Sequence, residues 1–303
     1  MSSEHAAKRS RSVQWRVTFD QVQTLQKLVE IVEKVLNSLS MRIVKTEAGG
    51  RLEIDSIDHK KACMVQARID VMEFNVDSTR GDVDAISVCL KSKPLLTCLS
   101  SSPAHFSVEL MQYMGSTSVF LRSYDNLSNS HVCEAEIKSI VDESETALLD
   151  DMDFKFEVQI DLAILRNIVK TASALNSTDI RLQVFEPKKD APSRLTAFRV
   201  SAEGGDDATP ASTFVSQLEG DCNVIRTEDS VQVDVDLGDM DTSYDEKFSV
   251  SYLHSFMKSM ERQSLSLKIS PTETDSPRMP LVIEYPLGKT DNFIKFVLAP
   301  RLD

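Results

Sequence analysis

Residues 20–39 read DQVQTLQKLVEIVEKVLNSL. Leu25, Leu28, Val29, Val32 and Leu36 recur at helical spacing, and Asp20 stands where a cap belongs, so the stretch predicts an amphipathic helix. Behind it Met41 and Ile43, then Leu52 and Ile54, alternate around EAGGR, which predicts two strands and a turn. This order returns three times. KSKPLLTCLSS at 91–101 precedes FSVEL and, past Gly115, SVFLRS. DLAILRNIVKTASAL at 161–175 precedes IRLQVF and TAFRVS, and SYLHSFMKSMER at 251–262 precedes SLSLKIS and PLVIEY. The helices begin near residues 21, 93, 161 and 250, a period of about 70 residues that an acidic Gly/Ser/Thr-containing segment stretches in the last interval.

Strands outnumber helices, and their alternation implies sheets with one wet face. The expected fold class is therefore α+β: two similar domains, each with two helices packed on antiparallel sheets. The boundaries place a basic, disordered tail at 1–13, a first domain at 14–125, an interdomain connector at 126–152 and a second domain at 153–303. The acids Asp142–Glu145 and Asp150-Asp151 suit an exposed connector.

A chain of 303 residues with 41% hydrophobic content supports two real cores. Its formal charge of -13 argues against a wholly basic surface, though not against a local one. Five cysteines, odd in number, widely spaced and without a C-x-x-C pair, point to a reducing compartment and no structural zinc. No apolar run approaches the roughly 18 residues of a membrane span, and no signal core opens the chain, so a soluble intracellular protein is expected. Lys8-Arg9-Ser10-Arg11 reads equally as a nuclear import address or a solvated tail.

Catalytic motifs are missing. There is no G-x-x-x-x-G-K-[ST] loop, no G-x-G-x-x-G and no G-x-S-x-G elbow. His5, His59, His105, His131 and His254 are scattered, none at ligand spacing from another His or Cys. Asp206-Asp207 and Asp239 with Asp241 read as solvated loops, because few ligands converge there for Mg²⁺. An enzyme, such as a nuclease or transferase, is the weaker reading, and no metal, cofactor or catalytic residue is expected.

Each helix instead carries two basic residues: Lys27 and Lys34, Lys91 and Lys93, Arg166 and Lys170, Lys258 and Arg262. On one helix this would be ordinary solubility. Recurrence in four repeats implies one basic face able to hold phosphates without reading bases.

The final stretches MPLVIEY (279–285) and FIKFVLAPRLD (293–303), with SIDHKKACMVQ (56–66), VSYLHSFMKS (250–259) and LRNIVK (165–170), carry a resemblance. Over roughly residues 14–303 the chain resembles the sliding clamps of DNA replication, the proliferating cell nuclear antigen family. It departs from that pattern at Lys61, where a loop histidine is usual, and at Val297, where a second tyrosine is usual. Its second helix is less basic, and it carries extra residues near 185–195 and 203–245.

The resemblance implies a head-to-tail homotrimer that encircles double-stranded DNA without sequence preference. An ATP-dependent clamp loader would place it there. It would serve as a DNA polymerase processivity factor in replication and repair, with no catalysis of its own. Its place would be the nucleus, or a viral replication compartment. Partners would dock as PIP-box-type peptides in a pocket walled by Ile57, Met64, Leu148, Leu149, Pro280, Val297, Ala299 and Pro300. The pocket would explain why an apolar run reaches so near the last residue. Subunits would join through strand 133–138 (Cys133, Ala135, Ile137) and strand 196–202 (Thr196, Phe198, Val200) of a neighbour, both expected at sheet ends. The nearest alternative is a subunit of a heterotrimeric DNA-damage checkpoint clamp, which shares the fold. Lys189 lies near where family members carry a modified lysine.

Overall fold

Each of the four helices found among the described residues is preceded by one strand and followed by at least three. The first repeat comprises β1 (Val13–Phe19), α1 (Val22–Val32), β2 (Ser38–Thr46), β3 (Gly49–Ile57), β4 (Cys63–Val71) and β5 (Glu73–Val76). The second comprises β6 (Ala85–Lys91), α2 (Ser92–Ser100), β7 (Ser107–Tyr113), β8 (Ser118–Tyr124) and β9 (His131–Ile140). The third comprises β10 (Phe156–Asp161), α3 (Leu162–Ala174), β11 (Asp179–Pro187), β12 (Ala197–Glu203), β13 (Pro210–Gln217) and β14 (Val224–Arg226). The fourth comprises β15 (Met240–Ser249), α4 (Val250–Lys258), β16 (Ser264–Ile269), β17 (Leu281–Pro286) and β18 (Phe293–Leu298). This is a computed structural model, and it describes residues 12–77, 83–125, 128, 131–141, 154–188, 196–203, 210–217, 224–226, 240–258, 260, 264–269, 278–287 and 292–301.

The repeat therefore opens one strand earlier than the helix spacing suggests. The opening strands interlock the repeats in pairs. β1 pairs antiparallel with β7 and β6 with β2; β10 pairs antiparallel with β16 and β15 with β11. In each pair of repeats, the strand before one helix lies beside the strand after the other.

The chain divides into two compact units. Unit 1 holds Met1–Val29, Asn37–Ile54 and Arg68–Glu143, and unit 2 holds Glu30–Leu36, Asp55–Ala67 and Ser144–Asp303. The strands of unit 1 run in the order β4-β3-β2-β6-β9-β8-β7-β1-β5. Those of unit 2 form one run, β14-β10-β16-β17-β18, with the first half of β4 beside β18, and a separate sheet β13-β12-β11-β15. The connector expected at 126–152 does not include 131–140, which is β9, paired along β8. Residues 142–153 lie outside the described residues, as does the tail with its Lys8–Arg11 cluster.

Helical stripes meet sheet faces in each unit. In unit 1, Leu25, Leu28 and Val29 of α1 and Leu39, Met41, Ile43, Leu52 and Ile54 of the strands are all fully buried. The α1 helix stops at Val32 although the apolar spacing runs on to Leu36. Backbone pairing explains the stop, since Ser38 already faces Lys91 and the Ser92 N–H donates to the Asn37 carbonyl at 3.0 Å. The turn after β2 needs glycine at 49: its φ is +131°, and a Cβ there would sit 2.5 Å from the Met72 carbonyl oxygen.

In unit 2, α3 buries Leu162, Leu165, Ile168, Val169 and Ala172, a helical stripe, and Asp161 caps it by accepting from the Ala163 N–H. α3 packs against α4. The α4 residue Phe256 stacks on Phe296 of β18, with ring centroids 3.9 Å apart and planes 14° from parallel. That stack fastens the final strand to a helix.

Candidate functional site

The turn from β3 to β4, Ile57-Asp58-His59-Lys60-Lys61-Ala62-Cys63-Met64, belongs to unit 2 and is organised by Asp58. One carboxylate oxygen accepts from the N–H groups of Ala62 and Cys63, each at 2.8 Å. The other accepts from the Lys60 N–H at 3.2 Å and from the Tyr252 hydroxyl of α4. Burial alone would push this carboxyl up. The Tyr252 hydroxyl and three backbone amides outweigh burial and hold it below the usual range. The Tyr252 phenol is pushed up, first by burial and then by its bond to Asp58. Lys61 closes the turn at φ 56°, its N–H donating to the Asp58 carbonyl at 2.9 Å.

The far side of this turn meets the final strand. The Ala299 N–H donates to the Ala62 carbonyl at 2.9 Å, and the Arg301 N–H donates to the Lys247 carbonyl of β15 at 2.8 Å. Val297 faces Val282 across the β17–β18 pair. Met64, Val282 and Val297 form a buried apolar cluster, and Ile57 and Phe154 pack on it while keeping part of their surface open.

Of the expected pocket residues, then, Ile57, Met64 and Val297 come together. Met64 and Val297 are each only 7% exposed, so they make a floor, and the open faces belong to Ile57 and Phe154. Pro280 precedes β17 and is half-buried; Ala299 is exposed and Pro300 half-buried just past β18. Leu148 and Leu149 lie outside the described residues. Val282 and Phe154 escaped the sequence reading. Val282 could have been found as the cross-strand partner of Val297, and Phe154 from its alternation with the buried Phe156.

The basic residues are distributed unevenly. Lys93, Lys170 and Lys258 are exposed on α2, α3 and α4, and Lys91 is exposed at the N-cap of α2. Lys27 is half-buried on α1. Lys34 falls beyond α1, in the turn that follows, where it pairs with Glu33 at 2.8 Å. Arg166 is turned inward. Its guanidinium donates to the Met257 carbonyl at 2.7 and 3.2 Å and to the Met260 carbonyl, capping the end of α4. Arg262 lies outside the described residues.

The expected subunit contact needs a correction on one side. β12 is no edge: it pairs with β11 on one flank and with β13 on the other. Phe198 and Val200 are fully buried core residues, and Thr196 is half-buried just before the strand. Among the described residues the end strands of this sheet are β13 and β15, and the one beside β12 is β13, within the region read as an insertion at 203–245; Thr213-Phe214-Val215 is its strand signal. That region also holds β14 and the start of β15, while 185–187 completes β11 and Lys189 lies outside the described residues. β9 does present an edge. Over 131–138 it pairs only with β8 among the described residues, meeting β6 only through Ser139 and Ile140. Cys133 and Ala135 are half-buried there, and Ile137 is buried.

Among the described residues no three His, Cys, Asp or Glu side chains gather as a metal site, and no helix is long and apolar enough to cross a membrane. Asp206, Asp207 and Asp239 lie outside that set.

No protein-family model matches the chain, and no curated protein does. Solved structures do. The proliferating cellular nuclear antigen of Entamoeba histolytica superposes with a TM-score of 0.66 at 14% identity, covering 96% of this chain and 100% of that one. The PCNA of Thermococcus kodakaraensis gives 0.65 at 15% identity, covering 95% and 100%. The chain has the sliding-clamp fold. The clamp likeness rests on topology, since so few residues are shared, and it spans all four repeats. Clamp architecture is α+β, as the strand alternation and the helix stripes require.

Proposed function

We propose that the chain is one subunit of a head-to-tail homotrimeric ring that encircles duplex DNA and tethers DNA polymerase and other replication and repair proteins. It acts as a processivity factor in the nucleus, or in a viral replication compartment, with no chemistry of its own. One observation carries the reading. Of the third strands after each helix (β4, β9, β13 and β18), β4 and β18 lie side by side in unit 2, whereas β9 and β13 each keep an open side among the described residues. The repeat logic that joins β4 to β18 within a chain would join β9 of one copy to β13 of the next. Such a contact is heterologous and closes a ring if its rotation fits. Lys91, Lys93, Lys170 and Lys258 supply exposed charge for loose phosphate contacts on an otherwise acidic chain. The cluster around Ile57 and Phe154 supplies the seat for a PIP-box-type peptide that inserts apolar anchors as a helical turn.

Light scattering of the purified chain tests the assembly. A trimer is expected. A chain that stays monomeric alone, and assembles only with two different partners, would instead be a checkpoint-clamp subunit. Retention on nicked circular DNA that is lost when the circle is cut would establish encirclement. A clamp loader hydrolysing ATP is the agent expected to load it.

A further inference from the structure

We propose that the turn His59-Lys60-Lys61 is a charge filter beside the peptide seat, favouring partner peptides with acidic residues next to their apolar anchors. This rests on the peptide-docking reading above. All three residues are exposed. The turn is short, and both of its roots are in the apolar cluster: Ile57 directly precedes Asp58, and Met64 follows Cys63. The Ala62 carbonyl between them holds the Ala299 N–H, so the final strand fixes the basic tip against the same surface. A peptide seated on Ile57 and Phe154 therefore runs close to this turn, whose exposed residues include Lys60 and Lys61.

The carboxylate within the turn does not face such a peptide. Asp58 is 3% exposed and spends its oxygens on three amides and the Tyr252 hydroxyl. The outward charge of the turn is thus positive, on a chain whose total is -13. Duplex phosphate is the competing ligand for such a tip, but the placement favours the peptide. Tyr252 meets Asp58 near the start of α4, whereas the exposed Lys258 lies at its other end, about 9 Å further along the axis.

Exposed charges act weakly, so the filter should change affinity by about two- to tenfold at low salt and vanish when screened. The test is calorimetry on the full chain with three peptides sharing one aliphatic and two aromatic anchors. Their flanks are Asp/Glu, Ser/Gly or Lys/Arg, and binding is measured at roughly 0.05 and 0.5 M salt. The expected order at low salt is acidic, then neutral, then basic, with the three converging at high salt. Lys60→Ser with Lys61→Asn should collapse that order to within about twofold; asparagine tolerates the left-handed backbone at 61. Lys60→Glu alone, which leaves residue 61 untouched and brings the charge of the pair to zero, should likewise flatten it.

An order that survives both variants, or a basic-flanked peptide preferred by the unaltered chain, overturns the filter while the seat stands. If the neutral peptide fails to bind at either salt, the seat itself is wrong and the filter falls with it. If the double variant loses DNA retention and keeps its peptide order, the turn serves phosphate, and the proposal is equally overturned.

Discussion

Asp58 and Tyr252 join two segments far apart in the sequence through one hydrogen bond to a charged acceptor. Bonds of that kind contribute about 1.5–3 kcal/mol, so Tyr252→Phe should lower unfolding stability by that order in urea at neutral pH. The pH dependence has a definite sign. The folded Asp58 carboxyl lies below its ordinary value, so its contribution is present above the unfolded value of about 3.9 and lost as pH falls through the lower folded value. Asp58→Asn should therefore cost stability at neutral pH and flatten the decline below about pH 4. An acid limb of unchanged slope in that variant would remove Asp58 from the account. Arg166 makes a similar case. Because it caps α4, Arg166→Ala should destabilise by about 1.5–3 kcal/mol, whereas exposed Lys170→Ala should stay within about 0.5 kcal/mol. Thermal melts of the two variants decide it. Helical spacing made Arg166 legible as basic but could not show that its charge is committed to carbonyls on another helix.

Strand edges decide assembly, and there the sequence was half legible. Alternation shows that a segment is a strand and which residues face inward, because side chains point up and down with period two. It does not name the neighbour. So β12 was recognised as a strand but mistaken for an edge, because β13 sits among polar residues with a weak apolar signal. Proline at Phe198 should consequently unfold unit 2 rather than release monomers, since it removes an interior ladder donor from a fully buried site. The open flank of β9 gives a cleaner experiment. Consecutive N–H groups along a strand point to opposite sides, so of Ala135→Pro and Glu136→Pro one should lose a donor to β8 and the other an outward donor. The first should melt early. The second should fold normally and sediment as a monomer. Two well-folded trimers would place the subunit contact elsewhere.

Across the whole molecule, the contrast between an acidic total and the exposed lysines of α2, α3 and α4 predicts how the proposed ring would hold DNA. Each phosphate contact adds about 0.9 to the slope of log affinity against log salt. Reversing Lys93 and Lys170 to Glu should flatten that slope by at least about one while leaving the oligomer intact, as followed by fluorescence anisotropy and sedimentation. An unchanged slope would mean that α2 and α3 do not meet DNA. The four-repeat plan was readable in advance because each helix stripe and strand alternation is a local signal. The interlocking of opening strands was not, because a pairing across a repeat depends on backbone partners that no single segment encodes.

The place of β18 has a consequence for how the protein is made. The strand that covers the flank of the hairpin segment at 55–67, and meets it at Ala62, is translated more than two hundred residues after it. At typical synthesis rates that interval is on the order of tens of seconds. Throughout it Met64 has neither Val282 nor Val297 to pack against, and the Ala62 carbonyl has no strand to accept from. The nascent chain thus carries a sticky, half-built sheet margin throughout that interval, and a cell under heat stress should lose this protein first as a newly made chain, shielded only by whatever chaperone reaches that hairpin in time.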